Sequence, residues 1–226
     1  MPSQRIGFVG TGIMGAPMAR NLLEAGYPLT IFTRTKSRAQ KLLDEGACWV
    51  DSPAEVASAS EVVITCVTDT PDVEQVLVGP QGVIEGACSG LICVDTSTIS
   101  PAATKQMAET LGEKGVTLLD APISGGEIGA IEAKLSIMMG GPQDAFEKVR
   151  PIMERMGRTI THCGPVGAGQ MTKLVNQIMV IHTIMSIAEG FAFAEKAGLD
   201  LETTLQVTSA GAAGSHSLRA LGPKIV

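Results

Sequence analysis

Three glycines near the start of the sequence have a spacing that suits the binding of phosphate groups. Gly10, Gly12 and Gly15 follow an apolar run over residues 6–9 and precede a helix-like segment. This spacing allows a tight turn, a close approach of the backbone to a pyrophosphate, and close packing of a helix on a strand. The positive end of the helix dipole then faces the phosphates. The pattern alone is weak in a chain with 26 glycines, but its position between strand and helix predicts a dinucleotide site.

A basic segment lies about 20 residues beyond these glycines, where a second strand is predicted to end. NAD-binding proteins carry an acid at this place, which bonds the ribose 2′-hydroxyl. This chain has Thr33, followed by Arg34, Thr35 and Lys36. An arginine there pairs with a 2′-phosphate through charge-assisted bonds. We therefore expect NADP(H) as the preferred cofactor and NAD(H) as the alternative; a solvated basic loop is the simpler interpretation.

A glycine-containing loop follows another predicted strand in the middle of the chain. Residues 120–126 come directly after the apolar residues 116–119. Ligands of open α/β sheets bind outside the carboxyl ends of strands. Ser124 offers a hydroxyl there, and Gly125 and Gly126 offer bare N–H groups, which together suit an anion such as a carboxylate. On these residues alone, an ordinary connecting loop is the simpler interpretation.

Lys173 and Asn176 stand three residues apart near the start of a long apolar segment. In a helix, this spacing puts both side chains on one face. A lysine among so many apolar neighbours either extends its amine to solvent or serves a chemical purpose. The helix pattern alone favours the first interpretation.

The segments that must position these residues alternate between strand-like and helix-like patterns, as is typical of a parallel sheet with crossover helices. Residues 62–67 form a nearly continuous apolar run, as in a strand covered on both faces. Ser52 and Ser100 each precede a proline, which predicts two capped helix starts. The predicted strands are residues 6–9, 29–32, 48–50, 62–67, 91–94, 116–119, 135–139 and 159–162.

No strand is predicted beyond residue 164. Residues 170–196 are predicted to form one long helix, which we expect to be buried between a domain and a partner surface because it is apolar on most sides. Polar residues interrupt it too often for a membrane span. The predicted fold is α/β, with a Rossmann-type doubly wound, mostly parallel sheet in residues 1–164. Residues 165–226 would supply the long interdomain helix and the start of an all-α domain.

Composition narrows the classes of function. With 45% hydrophobic and 18% charged residues the chain is predicted to be globular, and its net charge of −6 argues against a nucleic-acid partner. The five cysteines form no C-x-x-C pair and the three histidines have no ligand spacing, so we predict no metal site. The N-terminal residues run directly into a strand without a secretory signal, and we expect a cytoplasmic protein.

Together these motifs resemble the β-hydroxyacid dehydrogenase family, a 6-phosphogluconate dehydrogenase-like group that includes 3-hydroxyisobutyrate dehydrogenases and tartronate semialdehyde reductases. Residues 8–22 are similar to the family's N-terminal signature and depart from it at Thr11, where leucine is usual. Residues 120–126 resemble its substrate loop, and residues 167–176 resemble the start of its catalytic helix. The resemblance extends over essentially the whole chain.

The resemblance implies hydride transfer between a nicotinamide and a small carboxylate-bearing aldehyde or hydroxyacid. Lys173 matches the catalytic lysine, which exchanges a proton with the substrate oxygen. The implied substrate-binding residues are Ser124, Gly125, Gly126 and Asn176. The cofactor-binding residues implied by the motifs and the resemblance are Gly10, Thr11, Gly12, Ile13, Met14, Gly15, Arg34, Thr35, Val67 and Thr98. We also expect a homo-oligomer, a dimer or a tetramer.

The motifs divide between two branches of the family. Residues 125–130 and the pair Asn176–Gln177 are closest to tartronate semialdehyde reductases (2-hydroxy-3-oxopropionate reductases), whereas residues 211–215 look more like 3-hydroxyisobutyrate dehydrogenases. We favour the first branch, with the second or another short semialdehyde reductase as the alternative. An imine-reducing relative is disfavoured because such enzymes commonly replace the lysine.

Family members continue beyond the position of Val226 through helices that supply a second active-site lysine. We therefore expect a C-terminally incomplete version of the family. This leaves an alternative of another class, a non-catalytic dinucleotide-binding module. The presence of Lys173 and of the Ser124 loop favours the enzyme, because an inactive module has no need of them.

Overall fold

Strands and helices alternate along the first part of the chain, in a computed structural model that describes residues 4–226. The strands are Ile6–Val9 (β1), Leu29–Phe32 (β2), Cys48–Trp49 (β3), Val62–Thr65 (β4), Ile92–Asp95 (β5), Thr117–Asp120 (β6), Ile123–Ser124 (β7), Leu135–Gly140 (β8) and Gly157–Gly164 (β9). The helices between them are Gly15–Glu24 (α1), Gln40–Asp44 (α2), Pro53–Ser58 (α3), Thr70–Leu77 (α4), Val83–Gly86 (α5), Pro101–Gly112 (α6), Gly126–Ile131 (α7) and Gln143–Met153 (α8).

These strands form one sheet in the order β3-β2-β1-β4-β5-β6-β8-β7, with β9 paired to β8. The pairs from β3 to β6 are all parallel, whereas β8 runs antiparallel to both β6 and β7. The predicted doubly wound, mostly parallel sheet is therefore confirmed. The strand order reverses direction between β1 and β4, and ligands of such sheets bind in the crevice outside the strand ends at that point.

Two apolar clusters cover the two faces of the sheet. Phe8 and Ile64 belong to one cluster, while Val9 and Val63 belong to the other, as expected for side chains that alternate along a strand. All four residues of β4 are buried, which agrees with its predicted position inside the sheet. A strand covered on both faces is held rigidly, so its carboxyl end is a fixed platform for a site.

Local capping explains where the helices begin. The Ser52 hydroxyl accepts a hydrogen bond from the Glu55 N–H at 3.2 Å, and Ser100 caps α6 in the same way. Both predicted helix starts are confirmed. Between β2 and α2 the chain forms a 3₁₀ turn, Lys36–Ala39.

The chain divides into two compact units, of which the first ends at Lys173 and the second comprises Leu174–Val226. The remaining helices are Ala168–Lys196 (α9), Leu201–Ala210 (α10) and His216–Leu221 (α11). In the second unit, Ile187, Phe191 and Leu218 form a small apolar cluster. The carboxylate of Asp200 accepts the Thr203 N–H at 2.8 Å and caps α10.

The expected burial of α9 between a domain and a partner surface stays a prediction, and within this chain much of its apolar surface is exposed. Ile178, Met179 and Ile181 are all more than half exposed. Further along α9, the side that carries Ile187 and Phe191 is covered by apolar residues of the second unit, such as Leu218. By length and composition alone, α9 is long and apolar enough to cross a membrane, since its mean hydropathy is 1.4. Core helices of soluble proteins meet the same criterion.

Asp120 joins the end of β6 to the beginning of α9. Its Oδ1 accepts the Gly167 N–H at 2.7 Å, and its Oδ2 accepts the Gln170 N–H at 2.8 Å. The first turn of a helix has N–H groups without intrahelical partners and attracts an anion. Burial raises the pKa of the fully buried Asp120 carboxyl, and these backbone donors oppose the rise by stabilising the carboxylate.

We predict that Asp120→Asn lowers the free energy of unfolding by about 1–3 kcal/mol, because a buried N–H group loses its acceptor. Urea denaturation measures the change. The matched control is Asp144→Asn, an exposed acid 3.6 Å from Lys148, whose loss should cost under about 1 kcal/mol. Equal stability of the two variants would contradict the role of Asp120.

Candidate active site

A cavity of about 620 Å³ lies outside the carboxyl ends of β1, β2 and β4. Its wall includes Gly10 and Gly12 from the turn after β1, Arg34 and Thr35 from the segment after β2, and Val67 from the segment after β4. The fold thus brings these five predicted residues together at the point where the strand order reverses. A cavity of this volume falls within the range of small-molecule and cofactor sites.

The glycine turn has the shape that a bound pyrophosphate requires. A Cβ built on Gly12 would meet no atom within 4 Å, so open space lies in front of this residue. A Cβ on Gly15 would instead clash with the Gly10 carbonyl oxygen, which shows how closely α1 packs on the turn. No side chain caps the start of α1 at Met14. Ala16 and Met18 donate their N–H groups to the carbonyl oxygens of Gly12 and Met14, so the N–H groups that a ligand can reach lie before Ala16, in the glycine turn.

Thr11 and Ile13 complete the turn. Thr11 is only 2% exposed, and its hydroxyl oxygen is a buried atom with no hydrogen-bond partner among residues 4–226. Ile13 is 73% exposed beside the open space at Gly12. An unsatisfied buried hydroxyl costs free energy unless a ligand or water supplies a partner. The turn therefore fits the phosphates of a dinucleotide.

The basic part of the cavity wall is accompanied by an acidic residue. Arg34 Nη1 lies 3.2 Å from Asp72 Oδ1, and the Arg34 side chain is 78% exposed. Arg38 also lines the cavity, whereas the Lys36 amine lies over the Trp49 ring at 5.2 Å. Arg34 and Arg38 are thus the two cations placed at the cavity in the part of the chain that the structure describes.

A buried carboxyl group organises the ends of β4 and β5. Asp95 Oδ1 accepts hydrogen bonds from the hydroxyls of Thr65 and Ser97, both at 2.7 Å. The Ser97 oxygen in turn accepts the Val67 N–H at 3.1 Å. Burial is the main cause of the raised pKa of Asp95, and these hydrogen bonds oppose it. The network fixes Val67 at the cavity wall.

The loop after β5 is also held from the side of α9. The Gln170 amide donates to the Ser97 carbonyl oxygen at 2.8 Å and accepts the Ile99 N–H at 3.1 Å. Thr98 lies between these two residues and is exposed, and it stands outside the cavity wall. Its predicted contact with a cofactor remains a prediction.

Lys173 lies one helical turn beyond Gln170 and is only 8% exposed. Removal of its amine from water lowers the pKa of Lys173 below its ordinary value of 10.5. An amine with a lowered pKa is better suited to proton transfer near neutral pH than a solvated lysine. Lys173 is outside the wall of the cavity described above.

The predicted substrate residues occupy two places. Ser124 is in β7 and pairs with Ser136 of β8, and Gly125 and Gly126 connect β7 to α7. Gly125 has a φ of +138°, a conformation that favours glycine. Asn176 falls in the second unit, where its amide donates to Gln177 Oε1 at 3.1 Å.

The cysteines near the cavity are protonated thiols. Burial raises the pKa of Cys66, which lines the cavity, to about 11, and that of Cys93 in β5 to about 12. All five cysteines are free. Within residues 4–226, no group of three or more histidine, cysteine, aspartate or glutamate residues is placed to hold a metal ion.

Sequence reasoning missed Gln170, Asp95 and Asp72. Gln170 had a signal, because a polar residue three positions before Lys173 lies on the same helix face. Asp95 is the last residue of a buried strand, where an acid is unusual. Asp72 meets Arg34 across 38 residues, and nothing in the local pattern indicates that pairing.

Two family models match nearly all of the chain. The NAD binding domain of 6-phosphogluconate dehydrogenase matches residues 5–164, and the NAD-binding domain of NADP-dependent 3-hydroxyisobutyrate dehydrogenase matches residues 167–226. The chain belongs to the β-hydroxyacid dehydrogenase family. As a member of this family it is a nicotinamide-dependent oxidoreductase that acts on CH–OH groups, and the resemblance inferred from the motifs is confirmed.

Relatives of the chain represent both branches of the family. The 2-hydroxy-3-oxopropionate reductase of Escherichia coli (strain K12) is 43% identical over 222 residues, which cover 98% of this chain and 76% of the reductase. The solved 3-hydroxyisobutyrate dehydrogenase of Mycobacterium tuberculosis with L-serine is 32% identical, with a TM-score of 0.87 over 96% of this chain and 73% of that one. Psf3, solved with NADP+ and 2-OPP, is 26% identical, with a TM-score of 0.89 over 96% and 77%.

We predict that alanine at Gly12 affects ligand binding, whereas alanine at Gly15 affects stability. Gly12→Ala leaves the free energy of unfolding unchanged but weakens dinucleotide binding about tenfold or more, because its methyl group enters the space that the pyrophosphate needs. Gly15→Ala forces α1 away from the turn and lowers the free energy of unfolding by about 1–3 kcal/mol. Calorimetric titration with NADP+ and urea denaturation measure the two effects. Wild-type affinity in Gly12→Ala would refute the placement of the phosphates.

Proposed function

We propose that this family member is an NADP(H)-dependent reductase of a small carboxylate-bearing semialdehyde, with tartronate semialdehyde as its preferred substrate. The observation that carries the reaction is the buried amine of Lys173, whose pKa is lowered by desolvation. The substrate assignment is supported by the motif at residues 125–130 and by the E. coli reductase, which is named for 2-hydroxy-3-oxopropionate.

The reaction needs one hydride and one proton. When bound, the nicotinamide supplies the hydride to the carbonyl carbon of the aldehyde. The ammonium group of Lys173 donates its proton to the carbonyl oxygen, and a hydroxyl group results. In the direction of oxidation, the neutral amine accepts the hydroxyl proton. A lowered pKa helps both directions, because the amine changes protonation state more readily than a solvated lysine.

The rest of the chain supplies position. Under this proposal the substrate carboxylate is held by the Ser124 hydroxyl, by the N–H groups of Gly125 and Gly126, and by the Asn176 amide. The glycine turn holds the pyrophosphate, and Val67 and Thr98 lie beside the nicotinamide half of the cofactor. Fixed positions for the reacting atoms account for a large part of catalysis in such two-substrate reactions.

A 3-hydroxyisobutyrate dehydrogenase is the second candidate, favoured by residues 211–215 and by the M. tuberculosis relative. The two substrates differ in the group beside the aldehyde, which is a hydroxyl in tartronate semialdehyde and a methyl in methylmalonate semialdehyde. A site that hydrogen-bonds the hydroxyl rejects the methyl analogue strongly, because its polar groups are then unpaired. A comparison of the two aldehydes therefore separates the candidates.

We predict that the protein oxidises NADPH with tartronate semialdehyde at a higher kcat/KM than with methylmalonate semialdehyde. Lys173→Met should lower kcat by about 10²–10⁴-fold, the usual share of general acid catalysis, while NADPH still binds. The control is Lys148→Met, an exposed lysine that should leave the rate unchanged. Rates near wild type in Lys173→Met would rule out the assigned proton donor, and no turnover with any short semialdehyde would favour the dinucleotide-binding module.

The pH profile gives a second measure of the same role. Reduction requires the ammonium form, so kcat for reduction should fall as the pH rises through the pKa of Lys173. Because desolvation lowers that pKa, the fall begins below the ordinary lysine range. Oxidation requires the neutral amine and should show the opposite trend. A profile set by an ordinary, solvated lysine would speak against a buried acid.

Cofactor preference should depend on Arg34 and Asp72 in opposite ways. Arg34→Gln removes a cation from the 2′-phosphate, so kcat/KM for NADPH should fall about 10–100-fold while that for NADH changes little. Asp72→Asn removes the competing carboxylate and should raise kcat/KM for NADPH. Steady-state kinetics with both cofactors measure the ratio. An unchanged ratio in Arg34→Gln would show that this arginine is only a surface charge.

A further inference from the structure

Gln170 is a buried amide that connects the start of α9 to the loop after β5. Its side chain is in the protein interior, with no exposed area. The amide nitrogen donates to the Ser97 carbonyl oxygen at 2.8 Å, and the amide oxygen accepts the Ile99 N–H at 3.1 Å. Its own N–H donates to Asp120. Every described contact of this residue therefore lies between the helix start and the strand ends beneath it.

The geometry of the loop makes this pair of bonds specific. Gln170 binds the carbonyl oxygen of Ser97 and the N–H of Ile99. These two groups, an acceptor and a donor, belong to one short segment with Thr98 between them. A carboxamide offers one donor and one acceptor from the same plane and satisfies both. An aliphatic side chain of the same size satisfies neither and leaves two buried backbone groups without partners.

Lys173 follows Gln170 by three residues, which places the two side chains on one face of α9. Whatever fixes Gln170 also fixes the helix turn that carries the Lys173 amine. The loop that Gln170 binds is itself fixed at the cavity, because Ser97 bonds to both Asp95 and Val67. A short chain of hydrogen bonds therefore runs from the cavity wall to the turn before Lys173.

We propose that Gln170 is a positioning residue that sets the distance between the loop carrying Thr98 and the amine of Lys173. This inference rests on the proposed function, in which Thr98 lies beside the nicotinamide and Lys173 donates the proton. Hydride and proton must reach the same carbonyl group, so the cofactor loop and the amine must keep a fixed separation. A misplacement of about 1 Å lowers the rate of such a step by about 100-fold.

A carboxyl group tests this role because it can switch the bond pattern. In Gln170→Glu, the protonated acid donates to the Ser97 carbonyl and accepts from Ile99, as the amide does. The ionised form has no donor and places a negative oxygen against that carbonyl. The titratable groups around this position are Asp120, Asp95 and Lys173. An ionised glutamate at position 170 would raise the pKa of Lys173 and keep more of its ammonium form at high pH. That effect is opposite to the loss of rate expected from the broken bond pattern, and Gln170→Leu, which adds no charge, is the reference for both.

The experiment compares Gln170→Leu and Gln170→Glu with the wild-type protein in NADPH oxidation with the best semialdehyde, over a range of pH. In Gln170→Leu, kcat should fall about 100-fold, while the Kd for NADP+ should change by less than about threefold. The kcat of Gln170→Glu relative to wild type should rise as the pH falls, because burial keeps the introduced acid protonated over a wider range. The ratio for Gln170→Leu should not vary with pH. Melting temperatures verify that both variants are folded.

Two results would overturn the proposal. One is a loss confined to cofactor affinity with kcat unchanged, which would make Gln170 a support of the loop alone. The other is a parallel pH dependence of the two variants, which would exclude the amide's bond pattern as the cause.

Absence of turnover in the wild type would instead reject the proposed function. The positioning role is then measured by acetylation of the Lys173 amine, with the exposed Lys105 as the internal standard. The proposal is supported if Lys173 is labelled faster in Gln170→Leu than in wild type, and if the labelling rate in Gln170→Glu returns to the wild-type rate at low pH. Identical labelling in all three proteins refutes it.

Discussion

The Asp120 carboxylate accepts two hydrogen bonds from the start of α9, while Asp120 itself is the last residue of β6. The proposed substrate half of the site lies on the two segments that leave this junction. Beyond Asp120 the chain leads into β7, which carries Ser124. The helix continues from the same carboxylate toward Lys173. A buried anion at a helix start is stabilised by the helix dipole and by the N–H groups that would otherwise lack partners. One side chain thus fixes the directions of two segments that are 47 residues apart in sequence.

The proposed cofactor and substrate halves of the site depend on different parts of the chain. The proposed cofactor half includes the backbone of the glycine turn, with open space at Gly12, beside the side chains of the cavity wall. The proposed substrate half depends on side chains, above all the buried amine of Lys173. Backbone geometry is set by the sheet, so the first half is rigid once the fold has formed. Side chains on a helix start need additional supports, and the hydrogen bonds of Asp120 and Gln170 lie where such supports are needed.

Much of the fold could be predicted because the relevant forces are local. A serine followed by a proline marks a helix start, and the buried run at β4 marks a strand inside the sheet; both predictions are confirmed. The sequence predicts a loop at residues 120–126, whereas the structure has β7 within this segment and begins α7 at Gly126, because two residues of strand and a glycine-rich helix start have no periodicity. The burial of α9 against a partner surface stays a prediction, because apolar composition shows that a surface favours burial and does not identify what covers it. Of the site, the sequence indicated the glycine turn, Arg34 and Lys173. The Asp72 and Gln170 bonds depend on long-range contacts that no local pattern contains.

The thiols beside the cavity have a consequence for tolerance of oxidants. The thiolate is the form that reacts with peroxides and disulfides, and its fraction at neutral pH falls tenfold for each unit by which the pKa rises. With pKa values of about 11 and about 12, Cys66 and Cys93 carry almost no thiolate. The sulfur atom at the cavity wall, that of Cys66, is therefore a poor nucleophile, whereas Cys48 and Cys88 are exposed to oxidants at the surface.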